Sequence, residues 1–156
     1  MNALSSLALA SSIASALVGG VFFTFSTFVM RALATMPPAQ GILGMQRINV
    51  TVINPWFLGL FLGTVPLLGV TAFLGRHQPH TFGWLIAAFV IYLIGSVGVT
   101  MSFNVPRNNR LAALDPTSHD ALAYWPVYVR EWLGWNHVRC VACLLAAASA
   151  ALAVSQ

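Results

Sequence analysis

Four apolar runs follow one another along the chain, over residues 3–34, 49–74, 82–103 and 132–154. A helix needs about 20 apolar residues to cross the roughly 30 Å hydrocarbon core of a bilayer, so each run is long enough to span it. The apolar residues do not alternate with polar ones, which excludes the strands of a membrane β-barrel. The pattern predicts an all-α fold: an integral membrane four-helix bundle that forms a single domain over residues 1–156.

The three connections between these runs differ in length and polarity. The first, residues 35–48, is predicted to be a short turn with a helical tail that leads into span two. The second, residues 75–81, is a tight polar turn. The third, residues 104–131, is a long, partly helical connection that holds all three acidic residues. Within it, Asp115-Pro116 marks a helix start, and this helix is expected either to cover a pocket or to lie on the membrane surface.

The arginines are distributed unevenly between the two sides of the predicted bundle. The second connection carries Arg76 alone, whereas the first and third connections, with the adjoining span ends, carry Arg31, Arg47, Arg107, Arg110 and Arg130. Because positive charge is enriched in cytoplasmic loops, connections one and three are predicted to be cytoplasmic. The protein is therefore expected to be a multi-pass protein of the cell (inner) membrane with both termini outside.

The composition supports a lipid-embedded chain. Charged residues make up 6% of the sequence, against about 25% in a typical soluble domain, so the chain lacks the charges to cover a solvated surface. The net charge of +4 does not indicate nucleic-acid binding, because the basic residues are not clustered on a solvated face. The expected partner is the lipid bilayer.

Polar residues recur at helical spacing where the spans meet the predicted cytoplasmic face. A polar group in hydrocarbon needs a partner, so these residues are expected to point into the bundle. They are Arg31 in span one, Asn49 in span two, Asn104 followed by Arg107 at the end of span three, and Asn136, His137 and Arg139 in span four.

The topology brings all of these positions to one membrane face, so they are predicted to converge on a single polar pocket. Its apolar walls are expected to come from Phe22, Phe25, Trp56, Trp132 and Trp135. An apolar cavity with a few convergent polar groups is the usual form of a small-molecule site, and the predicted ligand is a hydrophobic aromatic molecule.

Two residues of span four, His137 and Arg139, are candidates for specific chemical roles. His137 is either a hydrogen-bonded interfacial residue or a base whose protonation changes near neutral pH. Arg139 lies about a turn and a half inside the span, where an unpaired guanidinium is costly, so it is expected either to pair with Glu131 or another acid or to bind an anionic ligand.

A metal site and self-association are further possibilities. His137, Cys140 and Cys143 are three residues apart, but each step of three turns a helix by about 60°, which is awkward for one tetrahedral ion. No metal is predicted, although a soft copper site that uses Met45 or Met101 stays open. Gly59 and Gly63 form a GxxxG pair in span two, which suits a homo-oligomer.

Four segments resemble one family of small membrane proteins. They are GGVFFTFSTFVMRAL (19–33), MQRIN (45–49), NVPRNNRLA (104–112) and WNHVR (135–139). In this order among four spans they are similar to the anthrone-oxygenase-like family, some of whose members oxidise an anthrone to an anthraquinone with molecular oxygen and without a cofactor.

The resemblance implies a site made of Asn49, Asn104, Arg107, Asn108, Trp135, Asn136 and His137. In such a reaction His137 is the expected base, and Arg107 with Asn104 or Asn136 donates to the oxyanion. Arg139, Arg31 and the aromatic residues are expected to bind the substrate. The alternative is a non-enzymatic membrane protein that binds, scaffolds or assists transport.

Overall fold

The computed structural model describes residues 2–155, which are almost entirely helical and contain no strand. Five helices follow one another: α1 (Ala3–Thr35), α2 (Pro38–Thr51), α3 (Pro55–Gly75), α4 (Pro79–Ala112) and α5 (His119–Val154). All except α2 are long and apolar enough to cross a membrane. The predicted helical membrane bundle with four spans is confirmed.

Proline and capping side chains set the helix starts. Pro38, Pro55 and Pro79 each occupy the first turn of a helix, where the missing N–H has no intrahelical partner to lose. Before Pro55, the Oδ1 of Asn54 accepts hydrogen bonds from the N–H groups of residues 56 and 57. The Ser118 hydroxyl caps α5 by accepting from Ala121 N at 3.2 Å. These local signals divide the chain into its helices.

The first connection differs from the predicted one. The structure places a separate 14-residue helix, α2, between α1 and α3, and residues 52–54 break the chain before Pro55. The sequence had suggested that Asn49 opens span two. The structure instead places Asn49 on α2. The reason is local: Asn54 and Pro55 start a new helix, and apolar residues on both sides of the break hid it from the hydropathy pattern.

The third connection is also different, because most of it belongs to the spans. Helix α4 continues to Ala112 and α5 begins at His119, which leaves residues 113–118 as the turn. In this turn the carboxylate of Asp115 accepts bonds from the N–H and hydroxyl of Thr117, and these bonds lower the pKa of that carboxyl. The expected surface helix is thus the first part of α5.

Helix α5 is the centre of the bundle. It packs against α1 and α4, while α3 packs on α1 and on the first half of α4. Small side chains at Ala142, Ala146 and Ala150 recur every fourth residue on one face of α5 and are buried. They allow close approach: a Cβ built on Gly95 of α4 would lie 2.5 Å from the Cβ of Ala142.

Two spans contain π-helical segments, Phe25–Val29 in α1, and Leu93–Gly98 and Thr100–Asn104 in α4. A π-helical turn inserts an extra residue and redirects the side chains beside it, and such turns are frequent at functional sites. The segments in α1 and in the second half of α4 contain Phe25 and Thr100. Both residues face the cavity described next.

Candidate functional site

A cavity of about 290 Å³ lies inside the bundle. Every one of the five helices contributes to its wall. The lining residues are Val21, Phe22, Phe25, Met45, Ile48, Asn49, Val52, Ile53, Phe57, Leu58, Phe61, Leu62, Thr100, Met101, Val105, Asn108, Trp132 and Arg139. Only four of these side chains are polar, so the site suits an apolar ligand with a polar group at one position.

Arg139 is the one charged residue in this wall, and it is almost fully buried, with 5% of its surface exposed. One terminal nitrogen, Nη2, donates to Asn136 Oδ1 at 2.7 Å, and Nη1 donates to Thr100 Oγ1 at 3.2 Å. The guanidinium carbon lies 4.2 Å from the ring centroid of Phe22 and 5.1 Å from that of Trp132. The Nε of Arg139 has no hydrogen-bond partner among residues 2–155.

No carboxylate neutralises Arg139 in the described part of the chain. Glu131, the acid that the sequence offered as its partner, instead accepts from Arg107 Nε at 2.9 Å. The other two acids, Asp115 and Asp120, lie at the turn before α5 and at its first residues. The charge is held by hydrogen bonds and by the faces of two aromatic rings, which stabilise a cation without cancelling it. This leaves an uncompensated positive charge at the wall of an apolar cavity.

Asn136 anchors the guanidinium. It is completely buried, and its Nδ2 donates to Phe22 O and to Ser26 Oγ on α1, both at 2.8 Å. Its Oδ1 is the acceptor for Arg139. Asn136 does not line the cavity, so it is a positioning residue that ties α5 to the π-helical part of α1.

A second polar cluster closes the end of the cavity next to α2. The Oδ1 of Asn108 accepts from the Tyr128 hydroxyl and from Trp132 Nε1, both at 2.9 Å. Asn49 Nδ2 approaches the same Tyr128 hydroxyl at 3.5 Å. Asn49 and Asn108 are predicted site residues, whereas Tyr128 and Thr100 are not among those predicted from the sequence. The spacing of four residues from Tyr128 to Trp132 and from Thr100 to Asn104 was the available signal.

Three predicted site residues lie outside the cavity. His137 and Arg31 have exposed side chains on the outer surfaces of α5 and α1, and Trp56 is 90% exposed at the start of α3. The expectation that they face the pocket is wrong. His137 follows Asn136 directly, so it lies about 100° further around the helix, away from the cavity. Trp56 is on the outer side of the first turn of α3, whereas the next two residues, Phe57 and Leu58, line the cavity.

Three more predicted residues belong to other contacts. Arg107 pairs with Glu131 and donates to Phe103 O, and Trp135 stacks on Phe103 with ring centroids 3.6 Å apart. Both lie beside a shallow groove on the outside of α4 and α5. Asn104 is buried between these helices, where its Nδ2 donates to Trp132 O at 3.2 Å. The members of the predicted set that line the cavity together are Phe22, Phe25, Asn49, Asn108, Trp132 and Arg139.

The two cysteines point to different neighbours. Cys140 Sγ lies 3.9 Å from Gly19 O, whereas Cys143 Sγ contacts Ser96 Oγ at 3.2 Å. Within residues 2–155 no group of three or more His, Cys, Asp or Glu side chains is arranged to hold a metal ion. His137 is exposed, whereas Cys140 and Cys143 are buried.

Comparison with known proteins bears on the same residues. The model of one protein family, described as anthrone oxygenase, matches residues 54–149, which is more than half of the chain. The chain belongs to the anthrone oxygenase family. No curated protein and no solved structure matches it significantly.

The anthrone oxygenase match covers α3, α4 and most of α5, and so includes Arg139, Asn108, Thr100 and Trp132. It also contains the NVPRNNRLA and WNHVR segments on which the resemblance partly rested. The other two segments, in α1 and α2, lie outside the matched range, although Phe22, Phe25 and Asn49 from these helices complete the cavity.

Proposed function

We propose that this membrane protein is an oxygenase that converts an anthrone-like polycyclic phenol to the corresponding quinone with molecular oxygen. The observation that carries the proposal is Arg139, a buried cation without a carboxylate partner in residues 2–155, at the wall of an apolar cavity. Family membership supports the reaction class.

The cavity fits the shape and polarity of such a substrate. Phe22, Phe25, Phe57, Phe61 and Trp132 supply aromatic faces for a flat ring system. Its volume of about 290 Å³ is at the small end of ligand cavities, which favours a compact fused-ring molecule over a long one. The position of Arg139 suits one anionic oxygen at the edge of that ring system.

The oxidation of an anthrone by O₂ needs no reductant other than the anthrone itself. An anthrone loses a proton from its ring methylene, or from the hydroxyl of its phenolic tautomer, to give an aromatic oxyanion. The electron pair of this anion forms a carbon–oxygen bond to O₂, and the resulting hydroperoxide loses water to leave a carbonyl. One oxygen atom enters the quinone, the other leaves as water, and no cofactor is required by this balance. Copper or another metal is not part of the proposal.

Arg139 is proposed to act by stabilising the oxyanion. A preorganised cation in a water-excluded site favours the ionised substrate much more than it would in water. The described lining residues include no imidazole or carboxylate, so we assign the ionisation to this charge stabilisation. The proton that the substrate loses is taken up by the peroxide oxygen once O₂ has added, so the net step releases no proton. Thr100 and Asn136 hold the guanidinium at its place.

Oxygen uptake tests the proposal. Purified protein in detergent is mixed with a hydroxylated anthrone, and oxygen consumption and quinone absorbance are followed together. Equal molar uptake and quinone formation above the spontaneous rate are expected for the native protein and for Arg76→Leu. Arg76 is the matched control, because its exposed guanidinium stacks on Phe73 at the opposite end of α3. Arg139→Leu is expected to lose the acceleration.

A binding protein is the second candidate, and the lack of a proton acceptor among the described lining residues favours it. Such a protein would bind a stable hydroxyanthraquinone through Arg139 and leave the oxidation rate of an anthrone unchanged. The oxygen measurement separates the two functions.

We also propose that the protein lies in the cell membrane with its termini outside. Exposed Arg31, Arg47 and Arg110 lie at the end of the bundle that holds α2 and the 113–118 turn, which suits a cytoplasmic face. Single cysteines at Gln78 and Thr117 are suitable probes, because both residues are exposed at opposite ends. Gln78→Cys is expected to react with an impermeant thiol reagent in intact cells, and Thr117→Cys only after permeabilisation.

A further inference from the structure

The wall of the cavity is exposed at one place. Among its lining residues only Ile53, Leu62 and Met101 have exposed side chains, and all three are apolar. Ile53 lies in the break before α3, Leu62 on α3 and Met101 on α4, with exposures of 69%, 48% and 60%. These three residues define what we call the mouth of the cavity, a gap between α3 and the second half of α4.

The mouth extends from the membrane–water interface at Ile53 towards the lipid chains at Leu62. Trp56 is 90% exposed in the first turn of α3, the position of an aromatic residue at the membrane–water interface. Leu62 lies six residues further along the helix, about 9 Å deeper at 1.5 Å per residue. The Leu62 side of the mouth at that depth faces hydrocarbon, whereas Ile53, which precedes Trp56, lies at the interface.

Packed side chains close the bundle on both sides of the cavity along its axis. At the end nearer to α2 and the 113–118 turn, Met45, Tyr128 and Leu111 are fully buried and belong to one packed cluster with Trp132. The Tyr128 hydroxyl and Trp132 Nε1 are further held by Asn108. At the other end, Phe61 and Tyr92 are packed in a second core cluster, and the Tyr92 hydroxyl donates to Phe61 O.

From this asymmetry we infer that the cavity takes its ligand sideways from the bilayer, through the gap between α3 and α4. The ligand class is a neutral, lipid-soluble flat phenol that enters uncharged and becomes an anion only on reaching Arg139. A permanently charged aromatic cannot use this route, because moving an ion through hydrocarbon is costly. The choice of a flat phenol rests on the proposed function, but the route rests on the mouth alone.

Exchange kinetics test the route without turnover. The protein in lipid nanodiscs is mixed with a fluorescent dihydroxyanthraquinone, which does not react further, and association and dissociation are followed by stopped flow. Leu62→Trp and Met101→Trp narrow the mouth and leave Arg139 in place. Val70→Trp and Val90→Trp are matched controls, because both positions are exposed on α3 and α4 but do not line the cavity.

For the mouth variants we expect the association and dissociation rates both to fall, by about tenfold, because a narrower gap slows passage in each direction. The two control variants are expected to exchange the probe at the native rate. Native-like exchange in both mouth variants overturns the inference, and so does a native protein that does not bind the probe.

An anthraquinone sulfonate provides the second arm, because its permanent charge keeps it in water. It is expected not to bind at the concentrations that saturate the neutral probe. If it binds as tightly and as fast as the neutral probe, the ligand enters from water and the inference is wrong.

The outcomes for route and reaction are separable. A protein that exchanges the probe through the mouth but consumes no oxygen with an anthrone keeps the lateral route and loses the oxygenase. If the native protein oxidises an anthrone but both mouth variants exchange the probe at the native rate, the oxygenase function stands and the lateral route is wrong.

Discussion

The guanidinium of Arg139 donates to Asn136 Oδ1 at 2.7 Å, one helical turn earlier on α5, and Asn136 donates in turn to α1 at Phe22 O and Ser26 Oγ. The position of the cation at the cavity wall therefore depends on a neighbouring helix. No acidic side chain among residues 2–155 pairs with Arg139. The hydrogen bonds from Arg139 to Asn136 and from Asn136 to α1, here called the relay, therefore hold a positive charge that a bound anion can neutralise.

The positive charge of Arg139 should make ligand affinity depend on pH. If Arg139 holds the ligand as an anion, binding lowers the pKa of the ligand phenol. Affinity then rises with pH between the pKa of the bound phenol and that of the free phenol, and it is constant above the latter. Titration of a dihydroxyanthraquinone against native protein at several pH values measures this.

In Arg139→Leu the dependence is expected to reverse. A neutral apolar wall prefers the protonated phenol, so affinity should fall once the pH exceeds the pKa of the free phenol. Folding should be retained, since losing the hydrogen bonds of Arg139 is offset by removing an unpaired charge that costs about 2.5–3.5 kcal/mol on insertion scales. If affinity rises with pH in Arg139→Leu as it does in the native protein, a group other than Arg139 binds the anion.

Asn136 is expected to matter for stability as well as for the site. Asn136→Leu removes the acceptor of Arg139 and the donor to two α1 oxygens, and each buried group left without a partner costs about 1–3 kcal/mol. We expect a clear fall in the thermal unfolding midpoint, measured by tryptophan fluorescence in detergent. Ser26→Ala, which loses only one of these bonds, is the milder comparison, and equal midpoints in both variants would contradict the relay.

His137 provides a test between the sequence-based hypothesis and the structure. Its side chain is exposed on α5 and does not line the cavity, so His137→Phe is expected to keep oxygen-dependent turnover. A general base is worth about 10²–10⁴ in rate, so a loss of that size with an intact fold would restore His137 as the base. Initial rates with an anthrone that the native protein oxidises are the measurement.

Two glycines on neighbouring helices should respond oppositely to alanine. A Cβ on Gly41 of α2 would lie 2.5 Å from Leu33 O and 3.0 Å from Trp125, so Gly41→Ala is expected to destabilise the bundle by about 1–3 kcal/mol. A Cβ on Gly59 of α3 would meet open space, so Gly59→Ala should be neutral or stabilise its helix by roughly 0.5–1 kcal/mol. Thermal midpoints of the two variants give the comparison.

The Gly59 and Gly63 pair bears on self-association. Both glycines are exposed on α3, so their GxxxG face is open within the single chain. We still predict that two copies of the chain associate through the face of α3 that carries Gly59 and Gly63. A lower midpoint or altered cross-linking of Gly59→Ala would indicate that a second chain packs there.

The sequence alone determined the four membrane helices, because a run of about 20 apolar residues has few other stable arrangements. It also identified Arg139 as a residue in need of an anion or an acid, since the cost of a buried guanidinium is local and the chain has only three acids. Phe22, Phe25, Asn49 and Asn108 were recognised from helical spacing and from the family resemblance.

The tertiary structure decided which of these groups meet. The sequence suggested Glu131 as a partner for Arg139, and only packing shows that Glu131 pairs with Arg107 and leaves Arg139 without an acid among the described residues. His137 and Asn136 are adjacent in sequence, yet one is exposed and the other is fully buried, because the rotation of α5 is set by its contacts with α1 and α4. Hydropathy does not distinguish a side chain that faces lipid from one that faces a neighbouring helix, since both surroundings are apolar.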